Sequence, residues 1–464
     1  KVLELEKAVN TNGLELDLGI AHTRWATHGV PNEKNAHPHC DSGKTLALVH
    51  NGIIENHDSL KKMLIEKGFV FESDTDTEVL AQLIAHLYEG DLLTAFQEAL
   101  SMVSGAWAIA LIHKDYPGKI FAAAKESPLV IGVGNGEAFI ASDPTAFLVH
   151  TREVCYLRDA EVAIVCANDL HVYDETTKQI KKQTEMIERQ MEEFSKEGFD
   201  HFMLKEIYEH PQVIRNALLS RFILEDGTAT LDELHMDLDA LLHVNRILIL
   251  GCGTSYHAGL IAAYMLEDKA RIPVQVELSS EFRYRNPVVA DNTVVLAISQ
   301  SGETADTIAA VREIKKKGAK VLAVCNVQGS TLTREADSSI FLKAGIEVSV
   351  CSTKAFISQL IVLNLFSLKM ARMRHMSKKE GIEFLHGIIK LPDQVQTILN
   401  QEEYIASLAK RYAKYDNFFF LGRQQMYPAA LEAALKLKEI SYINANGFAA
   451  GEMKHGPIAL INED

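Results

Sequence analysis

The sequence predicts an α+β region followed by an α/β region built on a parallel sheet. Over residues 14–180, short strand-like runs outnumber helical runs without strict alternation, which indicates a largely antiparallel sheet. From Arg246 onward, apolar strand-like runs alternate with amphipathic helical runs, which is typical of parallel strands covered by helices. The segment 175–200 is charged and has little apolar periodicity, so we expect a linker or an exposed helix there.

In the first region the elements follow from apolar patterning. A helix is predicted at 77–88. Thr75 and Glu78 form the capping-box pattern, which marks a helix N-terminus because it satisfies the first free N–H groups. A second helix is predicted at 57–67. The predicted strands are 19–26, 45–50, 106–113, 119–124, 139–142 and 162–172.

Composition limits the possible functions. The chain has 464 residues, enough for about three domains at roughly 150 residues each. Its net charge of −15 disfavours binding to nucleic acid or anionic membranes, so any phosphate site must be local. The apolar run at 357–368 is too short to span a bilayer, and we recognise no secretory signal. The six cysteines lack CxxC spacing, so we expect a reduced, cytoplasmic protein.

Two short polar turns carry the strongest functional signal. GCGTS at 251–255 and SQSGET at 299–304 each follow an apolar run and precede a helix, predicted at 256–269 and 305–316. Free backbone N–H groups and the helix dipole favour an anion there, and the turns converge if their strands are neighbours. Ordinary turn and N-cap roles are the alternative for one turn alone. Two turns without a Walker lysine favour a small phosphorylated ligand over a nucleotide.

A weak internal repeat links the second region to the end of the chain. The strand–turn–helix pattern at 249–255 recurs at 420–425, a spacing of 171 residues (249 to 420). In the second copy Arg-Gln-Gln replaces the Cys-Gly-Thr-Ser turn, so we expect phosphate binding to be lost there. Two unrelated strand–helix units are the alternative, because such units are common.

Polar residues in the first region suggest a site for an amino acid and an oxyanion. Arg24 offers a planar fork for a ligand carboxylate. Asp76 lies at a predicted helix start, where it could receive a ligand ammonium or only complement the helix dipole. Asn51 and Gly52 could donate a side-chain amide and a backbone N–H to a developing oxyanion, although Asn-Gly is more often a plain turn.

We expect neither a metal nor an organic cofactor. His37, His39 and Cys40 are close in sequence, but a proline separates the histidines and no partner cluster accompanies them. Side chains alone can carry out proton transfer and imine chemistry.

The predicted helix at 431–440 places Glu432, Lys436 and Glu439 on one face. A solvated charge stripe is the default interpretation. The competing hypothesis makes Glu439 a general base, with Lys436 supplying positive charge. His455 lies in a Gly-punctuated loop, where both catalytic and ordinary histidines occur.

With these residues in place, the chain resembles the glutamine–fructose-6-phosphate aminotransferase family, the glucosamine-6-phosphate synthases. One motif would be a weak match, but eight in family order are specific. The resemblance implies an N-terminal-nucleophile glutaminase of αββα architecture at 1–190, a linker at 191–200, and two doubly wound sugar-isomerase (SIS) subdomains at 201–376 and 377–464. The motifs are AHTRWATHG, VHNGIIEN, SDTDTE, GCGTSYHAG, SQSGETADT, STKAF, ALKLKEISY and GEMKHGP.

The resemblance also implies a reaction and its residues. L-Glutamine is hydrolysed, ammonia passes through a channel, and fructose 6-phosphate becomes glucosamine 6-phosphate, the first step of amino-sugar biosynthesis, in a homodimer. Asn51 and Gly52 would form the oxyanion hole; Glu439, assisted by Lys436, would move a proton between carbons 1 and 2; His455 would open the sugar ring. The glutamine-binding residues would be Arg24, Trp25 (also the channel gate), Thr27, His28, His37 and Asp76. The sugar-phosphate-binding residues would be Thr254, Ser255, Ser299, Gln300, Ser301, Thr304 and Ser352.

Two departures from the family pattern bear on activity. The family's nucleophile is an N-terminal cysteine in a Cys-Gly-Ile opening, and none of the six cysteines here has a free α-amino group. The family's C-terminal segment, with its imine-forming lysine, is also not in the sequence. We therefore expect an internal portion of the synthase, without glutaminase activity in the polypeptide as written, whereas the parent protein should have both glutaminase and synthase activity.

Two other functions compete with this one. A sugar-phosphate-binding SIS regulator with an inactive glutaminase-like domain would need the phosphate turns, but not Glu439, Lys436 or His455. An amidotransferase acting on phosphoribosyl pyrophosphate would need an acidic, metal-binding pyrophosphate motif, which the sequence lacks.

Overall fold

The computed structural model describes residues 17–23, 29–159, 161–187 and 196–461. The chain folds into two compact units, Lys1–Met191 and Glu192–Asp464. In the first unit, residues 19–23 form no strand, and the rest of the strand predicted at 19–26 lies outside the described residues.

The first unit is built on a seven-stranded antiparallel sheet, in the order β1-β2-β3-β4-β8-β9-β10. A second antiparallel sheet has the order β11-β7-β5-β6. The predicted strand at 162–172 is two strands with a tight turn between them, and β1, β5, β7, β10 and β11 were not predicted. β10 and β11 lie within 175–200, where a linker or an exposed helix was expected, and they are strands because both pair with neighbouring strands. The strands are β1 (His39–Cys40), β2 (Leu46–Gly52), β3 (Trp107–His113), β4 (Ile120–Lys125), β5 (Val130–Val133), β6 (Ala138–Ala141), β7 (Glu153–Tyr156), β8 (Val162–Cys166), β9 (Asp169–Tyr173), β10 (Gln179–Ile180) and β11 (Glu185–Met186).

Three helices cover one face of the larger sheet: α1 (His57–Glu66), α2 (Asp76–Leu87) and α3 (Leu92–Met102), of which α3 was not predicted. The other face packs against the second sheet through Ile131 and Val165. Helix, sheet and sheet are three of the four expected layers. A 3-10 turn at Pro144–Ala146 follows the edge strand β6, and Phe147 after it packs with Val130 and Val154 of the second sheet.

The start of α2 corrects the predicted capping box. The Thr75 hydroxyl accepts the backbone N–H of Glu78, as expected. The Glu78 carboxylate instead accepts the N–H groups of Glu72 and Ser73, because the preceding loop brings those donors within 2.6–2.8 Å. Of the two reciprocal hydrogen bonds of a capping box, only the one to the Thr75 hydroxyl therefore forms. The Glu78 carboxylate instead fixes the loop that leads into α2.

The second unit contains a five-stranded parallel sheet in the order β15-β14-β16-β17-β18, with helices on both faces. Relative to chain order this is the 2-1-3-4-5 arrangement of doubly wound folds, with its topological switch between β14 and β16. The strands are β14 (Arg246–Gly251), β15 (Val274–Leu278), β16 (Thr293–Ser299), β17 (Lys320–Cys325) and β18 (Ser338–Phe341), preceded by a short hairpin of β12 (Phe222–Ile223) and β13 (Thr228–Ala229).

The two faces of this sheet have separate cores. One core joins Ile249 and Leu296 to α5, α7, α11 and α12, and the other joins Leu250 and Val295 to α8, α9 and α10. The helices are α4 (Phe202–Tyr208), α5 (His210–Leu218), α6 (Leu238–Leu242), α7 (Thr254–Met265, continued by a π-helical turn at Leu266–Ala270), α8 (Ser279–Phe282), α9 (Ala305–Lys316), α10 (Thr331–Glu335), α11 (Lys354–Arg372), α12 (Lys378–Ile389), α13 (Leu391–Leu399) and α14 (Glu402–Tyr412).

Helix α11 is longer than the apolar run seen in the sequence. Its 19 residues are long and apolar enough to cross a membrane by length and composition, but 72% of the apolar window is buried inside this unit. Val362, Leu365 and Phe366 lie in the core against the sheet. The apolar character of α11 is therefore explained by its packing.

After α14 the chain forms a βαβ unit. β19 (Asn417–Gly422) and β20 (Asn444–Ala449) are parallel, and α15 (Met426–Ser441) connects them. The β19–α15 turn resembles the β14–α7 turn, since in each a Cβ on the strand's last glycine would approach the start of the following helix closely, at 3.0 Å from Ser255 for Gly251 and at 1.8 Å from Met426 for Gly422. Two 3-10 turns, Ala450–His455 and Pro457–Leu460, follow.

Candidate active site

The predicted phosphate turns of the second unit meet in one cavity. β14 and β16 are adjacent parallel strands, so the turns that follow them lie at the same edge of the sheet, at its topological switch point. The cavity has a volume of about 170 Å³. All seven predicted sugar-phosphate residues line it, together with Cys252, Ile298 and Thr307: Thr254, Ser255, Ser299, Gln300, Ser301, Thr304 and Ser352.

Backbone donors and hydroxyl groups dominate this cavity. Helices α7 and α9 begin at its edge, and no side chain in the described part of the chain caps either N-terminus, which leaves helix-end N–H groups for an anion. The Ser299 hydroxyl accepts the N–H of Gly302 at 3.0 Å and lies 3.3 Å from the Thr304 hydroxyl. Gly302 has φ +71°, and a Cβ there would lie 2.0 Å from the Ser330 hydroxyl, so the turn requires glycine.

Two residues outside the turns bear on the cavity: Gln359 supports a lining side chain from behind, and Ser352 lines the cavity itself. Gln359 of α11 is fully buried and donates to the Ser255 hydroxyl at 3.0 Å, which fixes that side chain. The Ser352 hydroxyl is buried and has no hydrogen-bond partner among the described residues. A buried donor without a partner is costly, so a ligand oxygen in the cavity would satisfy it.

The charged face of α15 contacts this cavity and is not a solvated stripe. Glu432 is only 4% exposed. Its carboxylate accepts hydrogen bonds from the Thr254 hydroxyl at 2.9 Å and from Nδ1 of His257 at 2.7 Å. Lys436 Nζ lies 3.2 Å from Glu432 Oε1 and donates to the Thr254 hydroxyl at 3.0 Å. Thr254 therefore joins the cavity to the charged cluster, and the default interpretation of the stripe was wrong.

Glu439 extends the cluster by one turn of the helix. Its Oε2 lies 2.9 Å from Lys436 Nζ and 3.0 Å from Sγ of the buried Cys351. Burial acts to lower the pKa of Lys436, but Glu432 and Glu439 outweigh it and leave the pKa raised, so this side chain is a fixed positive charge at neutral pH. The Glu439 side chain is 32% exposed and remains accessible to a ligand.

His455 is not joined to this cluster by any hydrogen bond or ion pair among the described residues. It ends the 3-10 turn Ala450–His455 and is exposed. Its ring-opening role stays a prediction.

In the first unit, four of the predicted residues lie around the end of β2. Asp76 is buried at the start of α2 and accepts the N–H of Ile54 at 2.9 Å. His37 accepts the N–H of His50 at 3.3 Å through Nδ1. Asn51 and Gly52 end β2, and a Cβ on Gly52 (φ +139°) would lie 2.1 Å from the Ala106 carbonyl. The other glutamine-binding predictions, Arg24, Trp25, Thr27 and His28, lie outside the described residues.

Neither Cys40 nor Cys155 of the first unit has the character of a nucleophile. Burial and the neighbouring Asp41 raise the pKa of Cys40, and burial raises the pKa of Cys155, whereas a nucleophilic cysteine needs a lowered value. Across 17–23, 29–159, 161–187 and 196–461, no group of three or more His, Cys, Asp or Glu side chains could hold a metal ion.

Sequence reasoning missed three residues that position the site: His257, Cys351 and Gln359. His257 is within the GCGTSYHAG motif, which could have singled it out. Gln359 and Cys351 flank the STKAF motif, but neither has a pattern that predicts a contact with Ser255 or Glu439.

The comparisons with known proteins agree with this architecture. A model of the SIS domain matches residues 240–369 and 411–464, and a model of the glutamine amidotransferase domain matches residues 22–149. A C-terminal domain of glucosamine-fructose-6-phosphate aminotransferase from Francisella tularensis is 40% identical, with a TM-score of 0.56 over 58% of this chain and 76% of that one. The class is therefore a glutamine amidotransferase domain joined to SIS domains.

Full-length relatives narrow the class to one family. The glutamine–fructose-6-phosphate aminotransferase (isomerizing) of Chlorobaculum tepidum is 49% identical over 471 residues, which covers 100% of this chain and 76% of the relative. That of Methanosarcina mazei is 47% identical and is covered over 77% of its length. This chain belongs to the glutamine–fructose-6-phosphate aminotransferase (isomerizing) family.

Proposed function

We propose that this protein makes glucosamine 6-phosphate from fructose 6-phosphate and L-glutamine, releasing glutamate. The observation that carries the proposal is the junction at Thr254, where a hydroxyl-lined anion cavity meets the Glu432–Lys436–Glu439 cluster. A phosphate held in the cavity would place a short sugar chain within reach of a carboxylate that can move protons.

The geometry of the cavity and of the cluster supports the proposed roles. The seven cavity residues bind the phosphate through hydroxyl groups and helix-end N–H groups. Glu439 takes a proton from carbon 1 of the open sugar and returns it to carbon 2, so no net proton is consumed. Lys436, held charged by two carboxylates, stabilises the negative charge that develops on the intermediate. A regulator would not need this proton-moving cluster, and the relatives and domains fit the enzyme.

The glutamine half of the proposal rests on the first unit. Asn51 and the Gly52 N–H would stabilise the oxyanion, and Asp76 would receive the glutamine ammonium, with His37 beside it. We assign no nucleophile among the described residues of this unit. We further propose a cytoplasmic homodimer; the six unpaired cysteines support the cytoplasmic part.

The test separates sugar binding from proton transfer. In Glu439→Gln, we expect fructose 6-phosphate to bind within about twofold of wild type, while isomerisation to the aldose falls by about 10²–10⁴-fold. Glu383→Gln is the matched control, since Glu383 is an exposed helical glutamate whose removal should change neither quantity. Retained isomerisation in Glu439→Gln would exclude this carboxylate as the base, and loss of sugar binding with intact folding would argue that it only holds the ligand.

A further inference from the structure

Cys351 donates a hydrogen bond to the carboxylate proposed as the base. Its Sγ lies 3.0 Å from Oε2 of Glu439, and the residue has no exposed surface. Burial, and then the contact with Glu439, raise the pKa of Cys351 to about 12. The thiol is therefore protonated at neutral pH, and in this contact it is the donor and the carboxylate the acceptor.

Both described donors meet the same carboxylate oxygen. Lys436 Nζ approaches Oε2 from within α15 at 2.9 Å, and the Cys351 thiol approaches it from the loop before α11. Among the described residues, no hydrogen-bond donor contacts Oε1 of Glu439. Oε2 of Glu439 is thus held by two donors, whereas Oε1 is left to exchange a proton.

The loop that carries Cys351 is braced on both sides. The buried Glu206 carboxylate accepts the N–H groups of Val348 and Ser349 at 2.6 and 3.0 Å. On the other side, Glu347 accepts the N–H groups of Thr353 and Ala355 at 2.7 and 3.1 Å. These hydrogen bonds fix the backbone, so the thiol reaches Glu439 without reorganisation.

We propose that Cys351 is a positioning residue for the isomerisation: with Lys436 it anchors Oε2 of Glu439, so that Oε1 carries the proton between carbons 1 and 2. The inference rests on the proposed role of Glu439. The titratable neighbours of this carboxylate in the described structure are Lys436 and Cys351 directly, with Glu432 and His257 behind Lys436. A donor to the ionised carboxylate favours that form, so its removal moves proton uptake to higher pH.

The experiment measures isomerisation of fructose 6-phosphate against pH in the intact protein. For Cys351→Ala, we expect kcat to fall about three- to tenfold, KM to stay within about twofold, and the acidic limb of kcat to move up by about half a pH unit. Cys351→Ser should restore both quantities, because a hydroxyl also donates. Cys155→Ala is the control, since it removes an equally buried thiol from the first unit. Wild-type kcat and an unmoved limb in Cys351→Ala would overturn the proposal.

An infrared measurement tests the contact without activity. The S–H stretching band of Cys351, isolated as the difference between wild type and Cys351→Ala, should lie at the low frequency of a hydrogen-bonded thiol and move up in Glu439→Ala. A band unaffected by Glu439→Ala would overturn the inference even if Cys351→Ala is poorly folded. Failure of the proposed function has a different signature. Full isomerisation in Glu439→Gln would show that Glu439 is not the base, whereas an unaffected S–H band overturns only the inference about Cys351.

Discussion

The hydroxyl of Thr254 donates to Oε1 of Glu432 at 2.9 Å and accepts from Lys436 Nζ at 3.0 Å. Thr254 is the first residue of α7, and the two charged residues lie on α15, 178 and 182 positions later in the chain. One side chain therefore connects the helix N-terminus that lines the anion cavity to the acid–base cluster. A ligand that moves α7 would also move the Thr254 hydroxyl, which accepts a hydrogen bond from Lys436.

Replacement of Thr254 by valine should affect binding and catalysis together. Thr254→Val keeps the shape but removes the hydroxyl, leaving Glu432 and Lys436 each with one partner fewer. We expect about a tenfold loss of fructose 6-phosphate affinity, a lower rate of isomerisation, and a loss of about 1–2 kcal/mol in the free energy of unfolding. Calorimetric titration and denaturant unfolding measure these effects.

Thr254→Ser provides the rescue, since it retains the hydroxyl and should behave almost as wild type. Thr397→Val is the control, because the exposed Thr397 hydroxyl donates to the carbonyl of Asp393 within its own helix. Equal behaviour of Thr254→Val and Thr397→Val would show that the junction has no energetic role.

Glu432 should matter more for stability than an exposed glutamate. In Glu432→Ala, Thr254, His257 and Lys436 all lose their shared acceptor, and the half-buried Lys436 keeps only the Glu439 carboxylate to compensate its charge. We expect a loss of about 2–4 kcal/mol in the second unit, measured by denaturant unfolding. Glu383→Ala, at the exposed pair with Lys379, should cost less than about 0.5 kcal/mol. A cost below about 1 kcal/mol for Glu432→Ala would contradict the buried-acceptor argument.

The sequence could predict the phosphate turns because all their information is local. An apolar strand, a Gly- and Ser-containing turn and a helix start lie within about fifteen residues, and β16 with α9 forms almost at the predicted bounds. The adjacency of β14 and β16 is a property of strand order. The sequence alone does not determine the order of the strands in the sheet. The convergence of the two turns could therefore only be expected, on the condition that β14 and β16 are neighbours.

The acid–base cluster could be predicted only in part. Helical spacing places Glu432, Lys436 and Glu439 on one face, but their burial depends on α7, which packs there from far along the chain. The role of Cys351 was beyond sequence reasoning, because a lone cysteine near Ser352 carries no periodicity and its acceptor is 88 residues away. In the first unit, β5, β7 and α3 were missed where the apolar patterning of a short segment was too weak.

Gly302 should not tolerate a side chain. Its φ of +71° and the 2.0 Å approach of a Cβ to the Ser330 hydroxyl mean that Gly302→Ala must distort the turn. The Ser299 hydroxyl would then lose the Gly302 N–H, and we expect fructose 6-phosphate affinity to fall at least about tenfold with a stability loss of about 2 kcal/mol. Gly387→Ala, in α12 with nothing near its Cβ, should stabilise by about 0.5–1 kcal/mol. Wild-type affinity in Gly302→Ala would exclude this turn from phosphate binding.

His210 should make the second unit sensitive to acid. Burial lowers the pKa of His210 to about 4, partly offset by Glu209 and reinforced by Lys354, and its buried Nε2 has no hydrogen-bond partner among the described residues. Because the folded pKa lies below the unfolded value near 6.5, the unfolded state binds the proton first. Stability contributed by neutral His210 is complete above about pH 6.5 and is lost as the pH falls toward 4, by about 2–3 kcal/mol in total. Denaturant unfolding at pH 7.5, 5.5 and 4.5 should show a flatter dependence in His210→Gln, whereas His386→Gln, at an exposed position, should follow wild type. An unchanged slope in His210→Gln would mean that another group binds the proton on unfolding.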